Sequence, residues 1–182
     1  VKAFCLSGYG KLFYKRKKTF SLIDEEGGRK DRSLTEEQQQ AVSAISKAID
    51  EETFKGILLK GVTGSGKTEV YLRAAARALE RGGSALILVP EIALTSQMTS
   101  YFASLLGDKV VFIHSGLSKG ERYNNRQRIA NGESTIIIGS RSAIFMPFRY
   151  LKLIVVDEEY DSSYKQGETP RYNGCLLYTS PS

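Results

Sequence analysis

Apolar residues recur along this chain in two rhythms. From position 34 it reads LTEEQQQAVSAISKAI, and Ala41, Val42, Ile45, Ala48 and Ile49 fall at the spacing of one helical face. Thr35 followed by Gln38 has the capping-box form that opens such a helix. Beyond it come short, largely apolar runs at 57–59, 85–89, 110–113, 135–138 and 151–156, interrupted only by Thr135 and Lys152. Runs that are continuous rather than alternating predict strands covered on both faces. Between them lie an alanine-rich helical segment at 70–81 that stops at Gly82 and Gly83, a second at 92–106, and a third reaching Asn131, opened by Ser118 with Glu121. Strand and helix in alternation predict an α/β fold, a parallel sheet with helices on both faces. In such sheets ligands sit beyond the carboxyl ends of the strands, which is where the polar motifs of this chain fall.

Residues 1–33 follow neither rhythm. Leu12, Tyr14, Phe20 and Leu22 are set among Lys, Arg and Thr in a loose alternation that suits a hairpin better than a helix, and GGRKDR at 27–32 reads as a linker. This stretch holds nine Lys and Arg against four Asp and Glu, so it carries nearly all of the net charge of +6. Its densest part is Lys15, Arg16, Lys17 and Lys18. A contact to a phosphate backbone and a solvated hairpin edge both fit that cluster. The start at Val1 reads as a cut through a longer chain.

The totals exclude several classes. With 182 residues, 41% hydrophobic and 25% charged, the composition is that of a folded domain rather than a disordered one. No apolar run approaches the roughly 20 residues of a membrane helix, and no secretory leader is legible, so a cytoplasmic location is expected. Cys5 and Cys175 form no metal-ligand spacing and read as free thiols.

The most specific chemistry lies at 61–68, GVTGSGKT, directly after a predicted strand and before a predicted helix. This is the G-x-x-x-x-G-K-[ST] phosphate loop in the context it requires. The backbone of Gly61, Thr63, Gly64, Ser65 and Gly66 would cradle phosphates with inward N–H groups, reinforced by the helix N-terminus. Lys67 would reach the β and γ phosphates of ATP, and Thr68 would offer its hydroxyl to Mg2+. The run LIVVDEEY at 153–160 puts acids where a buried strand emerges. There Asp157 is suited to the Mg2+ shell and Glu158 to orienting and deprotonating the attacking water. Gln38 keeps two readings, as helix cap and as hydrogen-bond partner of an adenine.

LTEEQ, GVTGSGKTEVYL, LILVPEIALTSQ, HSGLS, GSRSAIFMPF, IVVDEEYDSSYKQ and PRY occur in that order. Together they resemble the PriA (primosomal protein N′) family of superfamily 2 replication-restart helicases, over residues 34–172. The resemblance implies a first RecA-like motor lobe at 34–173, preceded by the end of a DNA-binding domain. Gln38 would sense adenine, and Lys67, Thr68, Asp157 and Glu158 would hold and hydrolyse Mg-ATP. Pro90, Glu91, Thr95, Gln97, Ser140, Arg141 and Ser142 match motifs lining the DNA track, and His114 in HSG is read as a track or packing residue. Tyr164, Lys165, Arg171 and Tyr172 belong to an aromatic-rich loop implied to couple single-stranded DNA to the ATP site. Interleaved tyrosines and cations suit such a role independently, since rings stack on bases while cations meet phosphates.

What the resemblance implies for the parent is ATP-driven 3′ to 5′ movement on single-stranded and forked DNA, with primosome and single-stranded-DNA-binding proteins as partners. A second motor lobe and a zinc-binding cysteine cluster are implied outside these residues, and little turnover by these residues alone. Two departures stand out. Tyr160 occupies the position where the family usually has His, and tyrosine does not titrate near neutral pH. GCLLYTSPS at 174–182 leaves the family pattern and reads as a foreign tail. Another superfamily 2 translocase, and a DNA-binding platform that no longer hydrolyses ATP, remain as alternatives.

Overall fold

The computed structural model describes residues 2–5, 34–62, 64–158 and 161–165, with the backbone alone at 2–5, 97 and 98. The strands are β1 (Lys2–Cys5), β2 (Lys55–Leu58), β3 (Ser84–Leu88), β4 (Val110–Ile113), β5 (Ile136–Gly139) and β6 (Leu151–Val156). The helices are α1 (Glu36–Asp50), α2 (Lys67–Glu80), α3 (Ser96–Leu106) and α4 (Lys119–Ala130), with 3-10 turns at Glu91–Ala93 and Arg141–Phe145.

The five apolar runs become strands, and four of them form a contiguous parallel sheet in the order β6-β3-β5-β4. The fifth is not their direct neighbour. The order continues β2-β1-β6, with β1 antiparallel to both flanking strands. Strand β2 therefore runs in the same direction as β6, one strand away. The hairpin expected at 11–23, the linker and the basic cluster at 15–18 lie outside the described residues.

Parity along each strand sorts the core into two layers, because successive side chains point to opposite faces. Ala85, Ile87, Ile136, Ile138, Leu153 and Val155 meet α1, α2 and α3 on one face. Leu86, Leu88, Val111, Ile137, Ile154 and Val156 meet Ile129 of α4 and Tyr164 on the other. Helix α2 can lie close to the sheet because its inner face is Ala74, Ala75 and Ala78, all fully buried. Both predicted capping boxes are formed, Thr35 with Gln38 and Ser118 with Glu121. The segment at 92–106 is broken, because Pro90 directs the chain into a 3-10 turn before α3 begins at Ser96.

Candidate functional site

The loops that follow β2, β3, β4, β5 and β6 all leave the same edge of the sheet, since these strands share one direction. The phosphate loop follows β2. Gly64 and Gly66 sit at φ 82° and 78°, a left-handed backbone that side chains other than glycine resist. Gly66 is also the N-cap of α2, so Lys67 and Thr68 begin a helix whose free N–H groups favour an anion. The Lys67 ammonium donates to the carbonyls of Gly61 (2.8 Å) and Val62 (2.9 Å), folding the side chain over its own loop. Thr63 lies outside the described residues.

The helix cap expected of Gln38 is formed, and its side chain also reaches this loop. Its Oε1 accepts from Thr35 N at 3.0 Å, completing the cap, while its Nε2 donates to the Ser65 carbonyl at 2.9 Å. A Cβ on Gly66 would collide with that same amide nitrogen. Gln38 thus ties the start of α1 to the phosphate loop.

The acids follow β6. Asp157 N donates to Leu88 O (2.9 Å), and Asp157 O accepts from the Tyr164 hydroxyl (2.6 Å). Its Oδ1 accepts from the Tyr71 hydroxyl and from Glu158 N, each at 3.0 Å. Burial first, and then the Asp157 charge, hold the Tyr71 hydroxyl well above its ordinary titration range. It stays protonated and serves as a donor. Glu158 has φ 47°, a conformation that costs a non-glycine residue about 1–3 kcal/mol and persists where the surroundings enforce it. Here its N–H is held by Asp157 and its carbonyl accepts from Asp161 N at 2.8 Å. Tyr160 lies outside the described residues.

These residues suit a nucleoside triphosphate with a divalent cation. The glycines admit a close backbone approach, a lysine and a helix N-terminus supply positive charge, and Thr68 and Asp157 are hard oxygen donors.

The remaining predicted residues line the adjoining loops. Pro90 is buried at the head of the 3-10 turn, and Thr95 and Ser142 are exposed. Glu91 Oε1 accepts from Ser115 N at 3.1 Å, and hydrogen bonding from the Ser115 side chain first, with the backbone bond behind it, holds its carboxyl below the usual range. Glu91 therefore ties the loops after β3 and β4 together. His114 is half-buried between them, and Ser140 is buried with its N–H on Ile113 O. Arg141 donates to the carbonyls of Ser163 (3.3 Å) and Lys165 (2.6 Å), holding the loop after the acids. Lys165 is exposed. The Gln97 side chain, Arg171 and Tyr172 lie outside the described residues.

Tyr164 departs from expectation. It is 1% exposed, its ring fills the core layer that holds Ile129 of α4 and its hydroxyl supports Asp157, so it offers no face to a base. Three residues were missed. Tyr71 stands four residues after Lys67 on the buried stripe of an alanine-rich helix, a spacing that could have singled it out. Ile92 (85% exposed) and Phe145 (55%) are apolar side chains outside the core at the ligand edge.

The profile described as DEAD/DEAH box helicase matches residues 35–179. The chain belongs to the DEAD/DEAH box helicase family. Among curated proteins it is similar to Replication restart protein PriA of Bacillus subtilis (strain 168), with 49% identity over 140 residues, covering 77% of this chain and 17% of that protein. The corresponding protein of Synechocystis sp. is 48% identical over 141 residues, 77% of this chain and 17% of that protein. That of Treponema pallidum is 45% identical over 141 residues, 78% and 21%. The resemblance seen in the motifs is thus borne out, and the chain spans about a fifth of the length of these relatives. The helicase lobe they share with this chain has the α/β sheet, flanked by helices on both faces, that the apolar pattern predicts. Among the described residues no helix is long and apolar enough to cross a membrane.

Proposed function

We propose that these residues form the first motor lobe of a replication-restart helicase that hydrolyses ATP to move 3′ to 5′ along single-stranded DNA at forked substrates. The observation that carries the reading is the phosphate loop and the Asp157–Glu158 pair on one sheet edge, joined through Tyr71. The curated relatives, each named a replication restart protein, point the same way.

In this reading Gly61, Thr63, Gly64, Ser65 and Gly66 bind the phosphates through backbone N–H groups, and Lys67 exchanges its loop carbonyls for them. Thr68 and Asp157 hold Mg2+. Bound Mg-ATP supplies the phosphoryl transfer that drives movement. Glu158 orients the attacking water and takes its proton at a side-chain oxygen. Single-stranded DNA crosses the edge formed by Pro90, Glu91, Thr95, Gln97, His114, Ser140, Arg141 and Ser142. Lys165, Arg171 and Tyr172 offer cations and a ring there. Zn2+, a second lobe, primosome proteins and single-stranded-DNA-binding proteins belong to the parent in the same proposal.

The test uses the full-length protein. Phosphate release stimulated by single-stranded DNA is expected, with unwinding of a duplex that carries a 3′ tail. Glu158→Gln and Lys67→Ala each abolish turnover without a large change in Tm. Turnover that survives Glu158→Gln, or unwinding that needs a 5′ tail, overturns the reading.

A further inference from the structure

We infer that Tyr71 is a positioning residue for the divalent cation, fixing the Asp157 carboxylate so that one oxygen is spent on the protein and the other is left for the metal. The inference rests on the nucleotide-site reading above and goes beyond it.

Three observations converge. Tyr71 lies one helical turn beyond Lys67 on α2, so the phosphate lysine, the metal-holding Thr68 and the Tyr71 hydroxyl share one rigid element. Its hydroxyl crosses from that helix to the end of β6 and donates to Asp157 Oδ1 at 3.0 Å. The other described donor to this carboxylate, Glu158 N, reaches the same oxygen at 3.0 Å. Two donors on Oδ1 fix the carboxylate rotation, and Oδ2 receives neither. The backbone of Asp157 is held as well, by Leu88 O and by the Tyr164 hydroxyl, so the side-chain torsions are the remaining freedom. Tyr71 removes it. Since the residue is 3% exposed, a hydroxyl placed here without a partner would have been costly. The buried donor and the half-buried acceptor satisfy each other.

A ring that merely fills the core would serve as well without its hydroxyl. The cost of removing it should therefore appear in metal dependence rather than in folding. Fluorescent ATP-analogue affinity is measured in the full-length protein with saturating Mg2+ and again with EDTA, alongside Tm. In the wild type, Mg2+ strengthens binding; no nucleotide binding at all would sink the nucleotide-site reading itself. Tyr71→Phe is expected to keep the EDTA affinity within twofold. The Mg2+ concentration for half-maximal enhancement should rise about tenfold, as for loss of a charge-assisted hydrogen bond. Replacing Tyr71 by 4-aminophenylalanine returns an N–H donor at the same ring position and should restore the wild-type midpoint. In an Asp157→Asn background, Tyr71→Phe should add nothing. An unchanged Mg2+ midpoint in Tyr71→Phe overturns the inference while leaving the nucleotide site standing. Equal loss with and without Mg2+ also overturns it, because it means the ring acts through packing alone. If Tyr71→Phe folds poorly, the comparison of 4-aminophenylalanine with wild type still decides, since a restored fold with a shifted midpoint denies the role of the donor.

Discussion

Tyr164 shows how far one residue's role depends on where its ring ends up. In sequence it stands beside Lys165 in a loop rich in tyrosine, a pattern suited to stacking on bases. In the fold it is buried beneath the acids, and its hydroxyl donates to the Asp157 carbonyl at 2.6 Å. Tyr164→Phe should cost about 1 kcal/mol and Tyr164→Ala about 3–5 kcal/mol, from one hydrogen bond and from a cavity respectively. Denaturant midpoints measure both. With the ring kept, Tyr164→Phe should leave single-stranded DNA affinity within twofold, and a tenfold loss of that affinity in the phenylalanine variant would reinstate a direct contact. Lys165 is the exposed member of the pair, which leaves it as the proposed phosphate contact.

Between elements, the joint of α1 and α2 is electrostatic at one end. Asp50, at the last turn of α1, accepts from Arg77 (2.6 and 2.9 Å) and from Arg81 (2.8 Å) on and just after α2. Hydrogen bonds from Arg77 and then Arg81 lower its carboxyl from 3.8 to about 2. A folded-state value below the unfolded one means that the network stabilises fully above about pH 4 and is lost as pH falls through about 2. Its groups are partly exposed, so solvent screening keeps the contribution near 1 kcal/mol, or about 2–4 °C in Tm for a domain this size. Asp50→Asn should lower Tm by that amount at pH 7 and flatten the Tm profile between pH 4 and pH 2. A profile parallel to wild type through that window would mean the pairs contribute nothing. At the other end of α1, Gln38 bonds the Ser65 carbonyl, so a rigid α1–α2 joint also steadies the phosphate loop.

For the whole molecule, the proposed nucleotide site is one-sided. The phosphate loop, Asp157 and Glu158 lie along a single sheet edge. In the proposed reading, the arginines that neutralise charge on the γ phosphate would come from a second lobe, as the resemblance to two-lobed motors implies. Arginines of that kind contribute roughly 10³ to 10⁵ in rate in other phosphoryl-transfer enzymes. The 182-residue chain is therefore expected to bind Mg-nucleotide weakly, to release phosphate hardly at all with saturating ATP and single-stranded DNA, and to unwind no duplex. Robust turnover by these residues that vanishes in Glu158→Gln would show a complete site within one lobe.

The amino-acid sequence by itself determined the elements and the ligand edge. Apolar runs set the strands, although β2 and β4 end at the edges of the sheet and Leu58 stays exposed; two capping boxes set the starts of α1 and α4, and GVTGSGKT needs its glycines to bring backbone N–H groups to a phosphate. These are local requirements, met within a few residues of each other. Tertiary structure alone decided what crosses between distant segments. Strand β1 lies between β2 and β6, although pairing partners leave no mark within a four-residue strand. Tyr71 finds Asp157 86 residues away, and Arg141 reaches the carbonyls of Ser163 and Lys165. Glu91 turns to Ser115 and Tyr164 turns inward. A polar side chain takes whichever partner the packing brings within about 3 Å, and that choice follows from how the strands lie beside one another, which no local pattern encodes.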